Sequence, residues 1–180
     1  MIAQRLPRRW NLGVPAFLLL AAASCFMYAA NNIRTGGDKM SSVSNEDGGA
    51  VVALSIPATC RLGKPVILSL TIRNKGDARI VSGDYGYMPE CRMELLDRDT
   101  QRAVEPTTEG KQFFGSRKDG SYAEVPLERG SERAWDIDLR RYFPLREGKF
   151  SLSVKVVLRK GEPEREFVVK AESLPFEIRK

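Results

Sequence analysis

The side chains that usually carry enzyme chemistry are scarce in this chain of 180 residues, which contains 3 cysteines and no histidine. Without an imidazole, Ser-His-Asp and Cys-His nucleophile systems are excluded, as is zinc, copper or haem ligated by histidine. We therefore expect a protein that is not an enzyme and that uses no cofactor.

Three pairs of carboxylates are spaced two residues apart, which places both members of a pair on one face of a strand. They are Asp97 and Asp99, Asp136 and Asp138, and Glu162 and Glu164. Such pairs could bind Ca²⁺, but the sequence lacks the many-ligand loop spacing of a calcium site. A solvated outer strand face explains them, and we predict no metal site.

Cys60 and Cys91 have two interpretations. In an oxidising compartment they could form a disulfide, worth about 3–4 kcal/mol on a chain-entropy estimate. Alternatively, they are two separate buried thiols that pack as small hydrophobic side chains. Cys91 shares the inward phase of an alternating run with Met93 and Leu95, so burial is expected in either case.

The stretch 109–123 is the segment least explained by strands and tight turns. It reads as a long Gly-rich loop that carries aromatic and cationic side chains together: Lys111, Phe113, Phe114, Arg117, Lys118 and Tyr122. Long loops of this kind often carry the binding function of a rigid scaffold. We predict a candidate binding loop here; the alternative is that Phe113 and Phe114 close one end of the core.

The first 30 residues have the pattern of an export signal. Arg5, Arg8 and Arg9 precede an uncharged apolar run over 14–30. As a helix this run would be about 25 Å long, against a hydrocarbon core of about 30 Å. By the positive-inside rule the arginines stay in the cytoplasm and the rest of the chain lies outside it. The sequence thus predicts a protein of the cell membrane or an exported protein, with 14–30 as its membrane contact.

Three forms of this signal are compatible with the sequence. An uncleaved signal anchor would keep the run as a single transmembrane helix, and the run's continuation beyond Cys25 favours this form. Cleavage at the small residues 21–23 would instead release the domain. In the third form, residues 22–25 loosely resemble a lipobox, in which Cys25 would become the lipidated first residue.

The formal charge of +6 does not indicate nucleic-acid binding. Residues 1–30 supply +3 of it, and the other 150 residues hold the remaining 26 of the 29 basic side chains together with all 23 acidic ones. This is a mixed surface of the kind that keeps a domain in solution, without an aromatic-basic nucleic-acid signature. We expect no nucleic-acid partner.

Beyond the apolar run the chain divides into a linker and a β-domain. Residues 31–50 are polar and rich in Gly, Ser and Asn, which predicts a flexible linker. From residue 51 apolar and polar side chains alternate, most clearly over 66–73 and 150–159, with turn residues between the runs. The pattern predicts one all-β, antiparallel sandwich over 51–180.

Several of these segments resemble those of bacterial extracellular immunoglobulin-like modules. They are 63–66 with its following strand and Asn74-Lys75-Gly76, then 125–132 and 142–154. The chain is also similar to the intracellular proteinase inhibitor domain family. The resemblance implies an immunoglobulin-like β-sandwich that acts as a non-catalytic binding or architectural module of the cell envelope, its partner an envelope protein or ligand. The alternative it implies is a proteinase inhibitor, with Arg117 and Lys118 as bait for a trypsin-like protease.

Two positions depart from antibody-type domains. Phe150 stands where a tyrosine corner would have Tyr, and Leu152 stands where the second core cysteine would be. The inter-sheet disulfide of antibodies is therefore not expected.

Overall fold

The computed structural model describes residues 39–85, 88–115, 123–161 and 165–180. These residues belong to one compact unit, Arg34–Lys180. They form an α-helix, α1 (Thr108–Gly115), a short 3-10 helix (Leu139–Arg141) and the following strands: β1 (Met40–Asp47), β2 (Ala50–Pro57), β3 (Thr59–Arg61), β4 (Ile67–Asn74), β5 (Ile80–Asp84), β6 (Cys91–Asp97), β7 (Arg102–Ala103), β8 (Ala123–Leu127), β9 (Glu132–Asp138), β10 (Gly148–Lys160) and β11 (Arg165–Arg179).

The described strands form two sheets. The first sheet has four strands in the order β1-β2-β4-β9, all antiparallel. The second has seven and follows the order β3-β11-β10-β5-β8, while β6 pairs with β10 and carries β7 on its other edge. The pairing between β3 and β11 is parallel. Because β10 is thirteen residues long, it pairs with both β5 and β6 along the edge opposite β11.

The core lies on the inward faces of these strands. Alternate residues of β2 are buried, namely Ala50, Val52, Leu54 and Ile56, and so are those of β4 and β10. Phe150 stacks on Phe176 with ring centres 5.5 Å apart, and Leu152 is fully buried. The all-β, β-sandwich-like architecture predicted from the alternating pattern is confirmed.

The predicted linker boundary is wrong for its second half. Residues 40–47 form β1, which pairs with β2 from Met40 opposite Pro57 to Asp47 opposite Ala50. Val43 faces the core, whereas the remaining side chains of β1 are polar or exposed. An edge strand has a neighbour on one side only and needs little apolar surface, so its sequence resembles a linker.

The carboxyl-terminal strand also differs from its pattern. Two separate apolar runs, Phe167 with Val169 and Leu174 with Phe176 and Ile178, predict two short strands, yet both belong to β11. The pairing of β11 with β10 shifts register between Leu152 and Val154, and Ser173 opposite this point has a φ of 62°. A β-bulge inserts one extra residue, which reverses the alternation of inward-facing and outward-facing side chains. The inward-facing residues of β11 therefore have odd numbers before the bulge and even numbers after it.

The predictions for the amino terminus concern residues that the structure does not describe. The apolar run 14–30, Cys25 and the first part of the linker, 31–38, all lie outside the described residues. Among the residues that are described, no helix is long and apolar enough to cross a membrane.

Candidate functional site

The first half of the predicted binding loop is a helix. Thr107 precedes α1, and its Oγ1 accepts a hydrogen bond from the backbone N–H of Gly110 at 3.0 Å. Its carbonyl accepts the N–H of Lys111 at 2.8 Å. A threonine in this position satisfies N–H groups that the first helical turn leaves without partners. The prediction of a loop through 109–115 is therefore wrong.

The helix docks against the segment of the 3-10 helix. Thr107 donates its backbone N–H to the Tyr142 carbonyl at 2.8 Å and its hydroxyl to the Arg141 carbonyl at 2.6 Å. Glu109 and Arg141 form an ion pair of 2.5 Å across the same contact. Gly110 lies so close that a Cβ built on it would overlap the carbonyl oxygen of Tyr142.

This docking turns both phenylalanines of α1 toward the core. The Phe113 ring lies 5.2 Å from that of Tyr85 and 5.7 Å from that of Tyr142, centre to centre. Phe114 lies 5.8 Å from Tyr142 and 5.9 Å from Phe143. Both phenylalanines are half-buried against the hydrophobic core. The structure therefore matches the alternative in which these rings close one end of the sandwich.

Of the cations in the predicted loop, the structure describes Lys111, and Lys111 does not join this aromatic cluster. Lys111 is exposed and pairs with Glu105 at 3.5 Å. Arg117, Lys118 and Tyr122 lie outside the described residues. The structure thus brings Phe113 and Phe114 together with aromatic side chains that the sequence had not linked to them, Tyr85 and Tyr142 among them.

A cavity of about 20 Å³ lies beside Phe113, bordered by Tyr85, Glu90, Cys91, Arg92 and Val157. This volume is enough for about one water molecule and too small for an organic ligand. Burial raises the pKa of the Cys91 thiol, and the Glu90 carboxylate raises it further. Cys91 therefore stays protonated at neutral pH and is a poor nucleophile.

The Cys60–Cys91 disulfide is not present, and both residues are buried thiols. In the strand register, Cys60 of β3 pairs with Ile178 of β11, and Ile178 pairs with Gly148 of β10. Cys91 of β6 pairs with Val156 of β10. The two positions are thus separated by three strand spacings, about 14 Å, and by eight residues along β10, about 26 Å. A disulfide needs Cα atoms roughly 4–7 Å apart.

An acidic residue missed from the sequence lies between the two sheets. Asp84 of β5 is buried and forms an ion pair with Arg133 of β9. The indole N–H of Trp135 donates to the same carboxylate at 3.4 Å, and the Arg133 guanidinium lies 5.4 Å from the Trp135 ring centre. The one signal in the sequence is Trp135, since a buried indole N–H needs an acceptor.

The carboxylate pairs are engaged within the fold. Asp97 accepts the backbone N–H groups of Asp99 and Thr100, each at 3.0 Å, and Asp138 pairs with Arg140 at 2.7 Å. Asp136 accepts the Ser69 hydroxyl at 2.6 Å. Glu162 and Glu164 are not among the described residues. Over the described ranges, no cluster of three or more potential metal ligands occurs.

A groove of about 330 Å³ on the first sheet was also missed. It is lined mainly by small side chains on the outward faces of β1, β2 and β4: Ser42, Ser44, Ala53, Ser55, Ser69 and Thr71. The alternation of Ser69 and Thr71 is visible in the sequence, but Ser42 and Ser44 fall in the stretch 31–50 that is predicted to be a linker. The groove offers hydroxyl groups and no charged side chain of its own.

Comparisons with known proteins add little to this picture. No family model and no curated protein matches the chain. Among solved structures, a β-glucosidase from Listeria innocua in complex with glucose is 15% identical over 74% of this chain, with a TM-score of 0.30. A β-glucosidase from the same organism in complex with gluconolactone is 13% identical over 74% of this chain, with a TM-score of 0.28. The match spans 16% of the length of each enzyme, and at such TM-scores it carries no argument.

Proposed function

We propose that this protein is a non-catalytic, immunoglobulin-like module of the cell envelope, anchored in or exported across the membrane, that acts by binding or as an architectural element. The described part is the sandwich, and the membrane contact is the run 14–30 with Arg5, Arg8 and Arg9 before it. The immunoglobulin-like assignment is supported by the turn and strand segments around 63–76 and 142–154.

The observation that carries the non-catalytic part of the proposal is the use of buried polar groups. Asn74 donates to the carbonyls of Ala78 and Leu127, at 2.9 and 2.8 Å, and accepts the N–H of Gly76 at 2.9 Å. Asp84 joins the two sheets and Asp97 holds a turn. Each of these side chains serves the fold, which supports a structural or binding role over catalysis.

The small size of the enclosed space supports the same conclusion. The cavity beside Phe113 has room for about one water, and Cys91 beside it is kept protonated. Within the described residues, we therefore assign the proposed binding role to the outer surface of the sandwich.

The topology is tested with a reporter fused after Lys180 in the full chain. Because the arginines precede the apolar run, alkaline phosphatase at this position should be active, and a reporter that works only in the cytoplasm should be inactive. The reverse result would contradict the proposal.

Replacing Cys25 by Ala separates the anchor forms: a lipoprotein would lose its acyl label and mature mass, whereas an uncleaved anchor would keep its full mass.

A further inference from the structure

One end of the sandwich collects exposed apolar and basic side chains. The Lys39 carbonyl accepts a hydrogen bond from the Ala58 N–H at 2.7 Å, and Met40 lies opposite Pro57. The turn 61–65 crosses from β3 to β4 at the same end, where the Leu62 N–H donates to the Arg179 carbonyl at 2.6 Å. We call this surface the basic end, formed by Lys39, Met40, residues 61–65 and Ile67.

The apolar side chains of the basic end are unusually exposed. Met40 is 50% exposed, Leu62 44% and Ile67 36%, and these are three of the five large hydrophobic side chains most exposed among the described residues. Residues 61–65 are all exposed in succession. Leu62 therefore projects from a turn into solvent instead of contributing to the core.

The charge of this end is also unbalanced. Lys39, Arg61 and Lys64 form no ion pair within the described chain, whereas the acidic Asp138 and Glu177 are neutralised by Arg140 and Arg179, each at 2.7 Å. The hydrogen bonds from these arginines lower the pKa of both carboxyl groups, so they stay ionised and paired.

The opposite end differs over the residues that the structure describes. Three of its cations form ion pairs: Lys75 with Glu46 at 3.5 Å, Arg79 with Glu128 at 3.9 Å and Arg129 with Asp77 at 2.7 Å. Three cations of the opposite end are therefore compensated, whereas Lys39, Arg61 and Lys64 of the basic end are not, and they lie beside exposed apolar side chains.

We propose that the basic end docks on the surface of an anionic phospholipid bilayer, with Leu62 entering the headgroup region and Arg61 and Lys64 contacting lipid phosphates. Cations beside protruding apolar groups are what such a surface attracts. The inference rests on the proposed membrane association. In the sequence, only residues 31–38 separate the proposed membrane contact from Lys39 of the basic end.

The test uses the full chain with Cys25→Ser, reconstituted in vesicles of phosphatidylglycerol and phosphatidylcholine in roughly equal parts. Leu62→Cys, labelled with an environment-sensitive dye, reports on the basic end, and Asp77→Cys reports on the opposite end. Cys60 and Cys91 are buried and should not label. Spin-labelled lipid should quench the dye at position 62 and leave the dye at position 77 unquenched.

Charge variants of the labelled chain supply the matched control. Arg61→Gln with Lys64→Gln should lower the ratio of docked to undocked domain by about fivefold per cation removed. Lys75→Gln with Arg79→Gln removes the same charge from the opposite end and should leave quenching at position 62 unchanged. Vesicles of pure phosphatidylcholine should also lower the quenching.

The outcomes distinguish this inference from the proposed function. A chain that alkaline washing removes from the vesicles overturns the membrane-anchored form of the proposed function and the docking inference that rests on it. If the chain resists the wash but the dye at position 62 is no more quenched than that at position 77, membrane association holds and docking of the basic end is overturned. Equal effects of the two charge variants likewise overturn a specific role for the basic end.

Discussion

Asp97 shows how single carboxylates hold the turns of this sandwich. It ends β6, where it accepts two backbone N–H groups of the following turn and an N–H of Arg146 at 2.8 Å. These bonds favour the ionised carboxylate. The Arg146 hydrogen bond, followed by that from the Thr100 backbone, lowers the pKa of Asp97 to about 2.

Asp97→Asn should therefore destabilise the domain in a pH-dependent way. Since the folded pKa lies below the unfolded value of about 3.9, the contribution of Asp97 is present above about pH 4 and is lost toward pH 2. Urea denaturation at several pH values should show wild type more stable at neutral pH and the two proteins converging at low pH. Arg146→Gln should weaken the same dependence. A difference that is constant over this range would contradict the assignment.

Gly110 is required by a close approach between two backbone segments. An added Cβ would overlap the Tyr142 carbonyl oxygen and lie 2.9 Å from Cβ of Pro106. Gly110→Ala should cost about 1–3 kcal/mol, because backbone overlap outweighs the gain in helix propensity. Thermal melts should show this loss, and Lys111→Ala in the same helix should stay within about 0.5 kcal/mol of wild type. An unchanged Gly110→Ala melt would show that α1 is not docked as described.

At the scale of elements, α1 is a lid of the core and carries its aromatic rings inward. Because Phe113 and Phe114 are half-buried, each alanine substitution should cost about 2 kcal/mol, less than the 3–5 kcal/mol typical of fully buried phenylalanine. Urea denaturation of Phe113→Ala and Phe114→Ala measures this. Variants that melt like wild type would return these residues to the candidate binding surface.

Strand β1 is the element that decides where the domain begins. It covers the edge of β2, and the Asn45 side chain donates to the Lys170 carbonyl of β11 at 2.7 Å, which ties the two sheets together. A chain that starts at Lys39 should fold and melt cooperatively, whereas one that starts at Ala50 should have a clearly lower Tm. Circular dichroism melts of the two truncations test this. Equal melting temperatures would restore the boundary at residue 51.

At the scale of the whole molecule, the cysteines report on how the strands are arranged. Cys60 lies on β3, and two strands, β11 and β10, separate it from Cys91 on β6. After air oxidation and denaturation, both residues should react with iodoacetamide without prior reduction, as peptide mass spectrometry can show. A Cys60–Cys91 disulfide peptide would contradict the strand order.

The sequence by itself determined the class of fold and much of the core. The strands β2, β4, β9 and β10 and most of the turns were predictable, because alternation along a strand follows from its own pleat and needs no knowledge of its neighbours. Trp135 alternates with Ile137 and Leu139, which predicts a core position for the same reason, and it is 6% exposed.

Only the tertiary structure decided the features that depend on residues distant in sequence. The polar run of β1 becomes a strand because β2 offers it hydrogen bonds, and a bulge joins two apolar phases into β11. Phe113 and Phe114 face the core because Thr107 and Gly110 dock α1 on Tyr142. Asp84 meets Arg133 only because β5 and β9 come together from opposite sheets. Such contacts are fixed by packing across the sandwich, which no local sequence pattern encodes.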